Sequence, residues 1–255
     1  MAKGVSIKFK SYTETIPKLL DLIKMDQELK KHDKIVLKPS LRNSNSQNTS
    51  VDFTDAVLNY CLANKNPDAK IFVAEGSDGE DTLEVFEKFG YKNLAEKYSI
   101  GIIDLNNTEA QEVTSTNFMK FDSIMYPKIL LDSFVISLPK LSEDSEIEMQ
   151  SALSNMLGAF PARYYKGLFS KDKSKIRRWP LKFSLNDILA CKMPDFTLID
   201  ASEQGSILAG MPFDMDKQAA KLLGKEWRAI QYLKLIEERF PEKPALEPNQ
   251  VKTPE

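Results

Sequence analysis

The chain has 255 residues, 42% of them hydrophobic, with 35 Lys and Arg against 37 Asp and Glu for a formal net charge of −2. That apolar content suffices for a folded core and excludes disorder throughout, and the charge balance excludes a global field that would draw the protein to nucleic acid or anionic lipid. One histidine, His32, and two cysteines, Cys61 and Cys191, with no CxxC pair, exclude an iron–sulfur cluster or a conventional zinc site.

The first residues, MAKGVSIKFKSYTETIP, lack the apolar core of a signal peptide, and no run of about 18 apolar residues occurs. The expectation is a soluble cytoplasmic protein with reduced thiols and no membrane partner.

In chain order, helical periodicity over 16–31 leads to the apolar run KIVLK (34–38), and a helix over 51–65 leads to KIFVAEG (70–76). His32 ends the first helical stretch, where a polar C-terminal cap accounts for it. Cys61 falls on the apolar face of the second, which makes it a packing residue. Helical spacing over 81–98 precedes IGIIDL (100–105), and residues 106–127, with Val113 and Phe118 in alternation, suit a hairpin or edge strands. SFVISLP (133–139) is followed by helical spacing over 146–158, and DFTLIDA (195–201) by helical spacing over 215–240. Cys191, just before a turn, reads as a second packing cysteine. Near-continuous apolar strands alternating with helices predict an α/β fold: a mostly parallel, doubly wound sheet with flanking helices and room for antiparallel edge strands. One α/β domain is expected over 1–240, with 241–255, which holds four prolines, as an extended tail.

Open α/β sheets bind ligands beyond the carboxyl ends of their strands. The residues there are Lys38-Pro39-Ser40, Glu75-Gly76-Ser77, Asp104-Leu105-Asn106, Pro139-Lys140-Leu141 and Asp200-Ala201-Ser202. Lys38 and Lys140 each adjoin a proline, which fixes the backbone as it leaves the sheet and allows the amines to face a shared anion. Each lysine taken singly also reads as a side chain reaching out to solvent. Thr49 or Ser50 can cap the helix that starts near Val51, and the free N–H groups there suit a phosphate or carboxylate. The acidic turn EGSDGEDT (75–82), with Asp104 nearby, admits magnesium beside a phosphorylated ligand; a solvated turn with an acidic helix start explains it equally.

Segment 162–182 holds eight Lys or Arg, Arg177 among them, interleaved with Tyr164, Tyr165, Phe169 and Trp179. Three readings stay open: a charged mobile connection, a lid over an anionic ligand, and, as the weaker alternative, a single-strand nucleic-acid groove.

The ordered set KIVLKPSL, TSVDFTDAVLNYCLAN, KIFVAEGS, SFVISLPKLS, SALSNMLGAFP, MPDFTLIDA and LAGMPFDMDKQAAKLL resembles the landmarks of the domain-of-unknown-function 362 family. The resemblance implies an α/β domain, in some relatives fused to a ferredoxin-type iron–sulfur module, with no generally assigned reaction. It places the family's polar landmarks on Lys38, Pro39, Thr49, Glu75, Gly76, Lys140, Asn155, Gly158, Asp200 and Asp216. Relatives commonly have Lys-Thr-His where this chain has Ser142-Glu143-Asp144, a lysine where it has Ser154, and a glycine-proline-rich turn where it has Glu203-Gln204-Gly205. Imidazole chemistry at the first position is therefore closed to this chain, which marks it as divergent and leaves a partner-binding protein with a decayed site as an alternative.

The expected ligand is a small anionic metabolite, with homo-oligomerisation left open. Lys140, Glu75 and Asp200 are the candidate catalytic groups, the lysine for charge stabilisation and either carboxylate as base. Lys38, Ser40, Thr49, Gly76, Ser77, Asn155 and Arg177 are the candidate binding groups.

Overall fold

The computed structural model describes residues 4–42 and 47–240. The tail expected over 241–255 and part of the polar loop after Lys38 lie outside the described residues. Among the described residues eleven strands form: β1 (Gly4–Lys8), β2 (Lys34–Pro39), β3 (Lys70–Glu75), β4 (Gly101–Asp104), β5 (Ala110–Val113), β6 (Ile124–Pro127), β7 (Phe134–Leu138), β8 (Ser142–Asp144), β9 (Glu148–Gln150), β10 (Phe196–Ala201) and β11 (Ser206–Gly210). Seven make one sheet in the order β1-β11-β10-β7-β2-β3-β4. From β10 to β4 all neighbours are parallel, and β11 and β1 close one side antiparallel. The chain steps outward from β2 through β3 to β4, then returns to place β7 on the other side of β2 and β10 beyond it. The order therefore reverses between β2 and β7, and a crevice opens beyond their carboxyl ends.

Helices α1 (Tyr12–Leu22), α2 (Met25–Leu29), α3 (Val51–Asn64), α4 (Thr82–Lys88) and α5 (Tyr91–Tyr98) cover one face. They pack on Ile35, Leu37, Val73, Ile136, Leu138 and Leu198. Between β6 and β7 the short α6 (Lys128–Leu131) intervenes, and α7 (Ala162–Tyr165), α8 (Leu181–Cys191), α9 (Pro212–Leu222) and α10 (Gln231–Arg239) complete the other face over Val36, Ala74, Val135, Ile199 and Leu208. Alternate residues of β2, β7 and β10 thus enter opposite cores, which is why those strands read as continuous apolar runs.

Local chemistry sets the breaks in the helices. The stretch 16–31 divides at Lys24, which takes a left-handed φ of 58°, and 81–98 divides at Gly90, with φ 81°. Ser50, rather than Thr49, caps α3, its hydroxyl accepting from the Asp52 N–H at 3.2 Å. The hairpin expected within 106–127 forms as β5–β6. The helix expected over 146–158 does not. β8 and β9 pair instead, and Ser154–Ala159 coils into a 3-10 turn. The reason is tertiary: Asp216 of α9 accepts from the backbone N–H groups of Ala152 (2.8 Å) and Leu153 (3.1 Å), capturing donors that a continuous helix would use internally. Helix α8 and strands β1 and β11 escaped the periodicity reading; β1 and β11 are short, and each needs the sheet to define it.

Asp216 also accepts from the Tyr232 hydroxyl at 3.1 Å, joining α9, α10 and the turn at 152–153. Burial pushes its carboxyl up to about 6, against hydrogen bonds that lower it. A carboxyl that holds its proton more tightly when folded stabilises most below its unfolded value, and that stability is lost as pH rises through about 6. Between pH 4 and 6 the wild type should lose about 2 kcal/mol relative to Asp216→Asn in urea unfolding, most of what two pKa units at about 1.36 kcal/mol each can supply. A wild type that gains on the variant over this range contradicts the assignment.

Candidate functional site

At the end of β2 the Lys38 side chain is fully buried. Its ammonium donates to Glu75 Oε2 (2.7 Å), the Asn155 carbonyl (2.8 Å) and Asn155 Oδ1 (3.0 Å). All three N–H bonds are spent inside the protein. Burial lowers the Lys38 pKa, with Glu75 pulling the other way. Asn155 in turn donates to the Lys38 carbonyl (2.9 Å) and to Ser137 Oγ (3.0 Å), tying β2 to β7 at the switch point.

Two glycines allow this closeness. A Cβ on Gly158 would fall 2.7 Å from Lys38 Nζ and nearer still to Glu75 Oε1, and a Cβ on Gly76 would strike the Gly158 carbonyl oxygen. The 3-10 turn carrying Asn155 can therefore rest directly on the ends of β2 and β3.

Beside them lies Lys173, only 1% exposed, whose ammonium donates to the carbonyls of Gly76 (2.7 Å) and Gly158 (3.2 Å). It has no carboxylate within ion-pair distance among the described residues. Burial lowers its pKa to about 8, partly offset by the fields of Asp78 and Glu75. Asp78 holds the segment in place by accepting from the Lys173 backbone N–H at 2.7 Å.

Lys173 lines a cavity of about 440 Å³ together with Ser40, Arg42, Glu75, Gly76 and Asn155 on the strand side. Arg177 and the β8–β9 hairpin form its rim. Arg177 donates to Asp78 (2.6 Å) and pairs with Glu146 (2.8 Å), so one guanidinium spans two carboxylates. Arg42 donates to Asp144 (2.9 Å) and Gln150 (2.9 Å), and Gln150 donates to Ser40 Oγ (2.9 Å). Burial pushes the Asp144 carboxyl up, but the backbone N–H groups of Ile147 and Glu146 and the Arg42 guanidinium outweigh it and hold it below its ordinary value.

Of the residues singled out by sequence, Lys38, Ser40, Glu75, Gly76, Asn155 and Arg177 converge here. Thr49 and Ser77 stand behind the wall: the Thr49 hydroxyl donates to the Leu138 carbonyl (2.5 Å) and accepts from the Ser40 N–H (2.9 Å), and the Ser77 hydroxyl donates to the Leu41 carbonyl (3.2 Å). Lys140 and Asp200 do not join them. Asp200 shares strand parity with Leu198, on the face of α1, and accepts from the Tyr12 hydroxyl at 2.9 Å. Lys38 shares parity with Val36, on the opposite face. Lys140 pairs with Glu203 at 2.7 Å and is absent from the cavity lining. The expected two-lysine clamp is thus corrected: one amine is consumed internally and the other belongs to a different part of the surface.

Lys173 and Gln150 were not singled out by sequence, and Arg42 entered only as the first residue of the polar loop after β2. Their contacts cross up to 110 positions, and for Lys173 the local signal was the basic character of 162–182. That segment runs over the cavity, with Tyr165 buried and Trp179 edge-on to Phe121 at 5.4 Å. No three His, Cys, Asp or Glu among the described residues cluster as a metal site. The acidic groups expected near magnesium go to separate partners: Glu75 to Lys38, Asp78 to Arg177, Asp81 to the cap of α4 (2.9 Å from the Leu83 N–H), and Asp104 to Asn106 and Asn107. Burial pushes the Cys61 and Cys191 thiols up to about 12, in keeping with packing roles.

Sheet order and cavity together define a doubly wound α/β protein with a pocket at its switch point. The family described as Domain of unknown function (DUF362) matches the chain over residues 35–218, and the chain belongs to it. No curated protein matches. Among solved structures, the lactate racemase apoprotein from Thermoanaerobacterium thermosaccharolyticum is similar, with TM-score 0.55 and 12% identity over 88% of this chain. The chain spans 58% of that structure's length, and the likeness is one of fold.

Breaking the Lys38–Glu75 pair from one side leaves a buried charge uncompensated. Lys38→Met should cost about 3–5 kcal/mol in urea unfolding, and adding Glu75→Leu to it should recover part of that loss. A double variant destabilised by the full sum of the two singles would show that the pair is not coupled.

Proposed function

We propose that the switch-point cavity binds a small anionic metabolite, with Lys173 as the cation that meets it. The observation that carries this reading is a buried ammonium on the cavity wall with two neutral acceptors and, among the described residues, no carboxylate partner. A charge so placed is costly unless compensated, and a ligand anion entering the cavity supplies the compensation. The volume, about 440 Å³, falls in the range of small-metabolite pockets. Arg42 and Arg177, each already bridged to carboxylates, orient the rim and add little free positive charge. An amine with a pKa of about 8 is also suited to exchanging a proton near neutral pH, so Lys173 is the residue on which a reaction at this site would turn. Segment 162–182 acts here as a lid: Lys173 and Arg177 face the cavity, and Trp179 is committed to Phe121 and to Ser184, its indole donating to Ser184 Oγ at 2.9 Å. With Trp179 and the buried Tyr165 committed to the protein, Phe169 is the one ring of the segment left fully exposed, and a single ring favours the lid over a nucleic-acid groove, which stacks successive bases on several.

The test is thermal stability against a panel of carboxylates and phosphate esters, with lactate included because the similar fold is that of a lactate racemase. At least one acid should raise the melting temperature, and Lys173→Met should weaken its binding about tenfold or more. Affinity requires the ammonium, so it should fall about tenfold between pH 7 and 9 as Lys173 loses its proton through about 8. Failure of every acid to shift the wild type, or a response unchanged in Lys173→Met and in the rim variant Arg42→Gln, rejects the reading.

A further inference from the structure

The charges around the cavity restrict the ligand further. Five carboxylates line it: Glu75, Asp78, Asp144, Glu146 and Asp172. Only three cations do, Arg42, Lys173 and Arg177, with Lys38 behind the wall as a fourth. Glu75 is neutralised by Lys38 and Asp144 by Arg42, each one to one. Arg177 has to serve both Asp78 and Glu146, which leaves one negative charge over at the rim. Among the described residues Asp172 has no cation within ion-pair distance; it accepts from Ser170 Oγ at 3.1 Å. The inner wall therefore holds a cation lacking an anion, and the rim holds carboxylates in excess of cations.

A polyanion would meet Lys173 only by bringing its remaining charges against Glu146 and Asp172. At about 4 Å, a like-charge contact near a protein surface costs on the order of several kcal/mol, as much as one lysine contact at that distance returns, so the two rim carboxylates together outweigh the gain at Lys173. A ligand with opposite charges at its two ends satisfies both walls. Resting on the anion-site reading above, the geometry points to a small zwitterion of the amino-acid class as the ligand, its carboxylate on Lys173 and its ammonium at the rim between Glu146 and Asp172.

Isothermal titration of matched pairs tests this: alanine against propionate and lactate, and phenylalanine against 3-phenylpropionate, with succinate and glycerol 3-phosphate as dianions. In at least one pair the amino member should bind about tenfold more tightly than its deaminated partner, a difference of about 1.4 kcal/mol. Both dianions should bind more weakly than that amino acid. Glu146→Gln and Asp172→Asn together should shrink the preference to below about threefold; both positions are exposed at the rim, so folding is not at stake. Deaminated acids or dianions that bind as tightly as the amino acids overturn the zwitterion assignment and leave the anion site standing. If none of these probes binds, the anion-site reading falls together with it.

Discussion

An ammonium held out of water needs a full set of acceptors, and in this protein that requirement organises the end of the sheet. Lys38 finds one acceptor on β3 and two on Asn155, far along the chain. Meeting it brings three segments together: the ends of β2 and β3 and the turn Ser154–Ala159. Glycine at 76 and 158 is what lets the turn come close enough, since a methyl group at either position would collide with the pair or with the turn itself. Once the turn is seated, the carbonyls of Gly76 and Gly158 point at the place where Lys173 arrives. The cavity is in this sense a by-product of neutralising Lys38.

Two buried lysines about one wall have different electrostatic standing. Lys38 is paired with a carboxylate and has no donor left, which makes it part of the frame. Lys173 has only neutral partners among the described residues, and it is this charge that the proposed ligand would complete. The same logic separates the arginines: Arg42 and Arg177 are anchored to Asp144, Asp78 and Glu146, and they fix the shape of the rim. Binding energy at such a site comes from the charge that the fold leaves uncompensated rather than from the number of cations in view.

Membership of the DUF362 family and the likeness to a lactate racemase apoprotein agree with the architecture. Both leave the chemistry to be argued from the cavity. The polar landmarks implied by the family resemblance divide by location: Lys38, Glu75, Gly76, Asn155 and Gly158 build the switch-point wall, Thr49 braces it, Asp216 moors the turn beneath it, and Lys140 and Asp200 belong to the opposite side of the sheet.

The sequence by itself determined the layered α/β architecture, because strands buried on both faces must be apolar at nearly every position and helices must repeat at three and four. It also located the pocket at the carboxyl ends of β2 and β3, since Lys38, Glu75 and Gly76 follow directly on readable strands. Only the tertiary structure decided which side each strand-end group faces. A shift of one residue in strand parity sends Lys38 and Asp200 to opposite cores, and no spacing in the sequence records that. Nor could the sequence single out Lys173 from the seven other cations of its segment, because its distinction lies in what surrounds it: two carbonyl oxygens supplied by glycines 97 and 15 positions away, and no carboxylate.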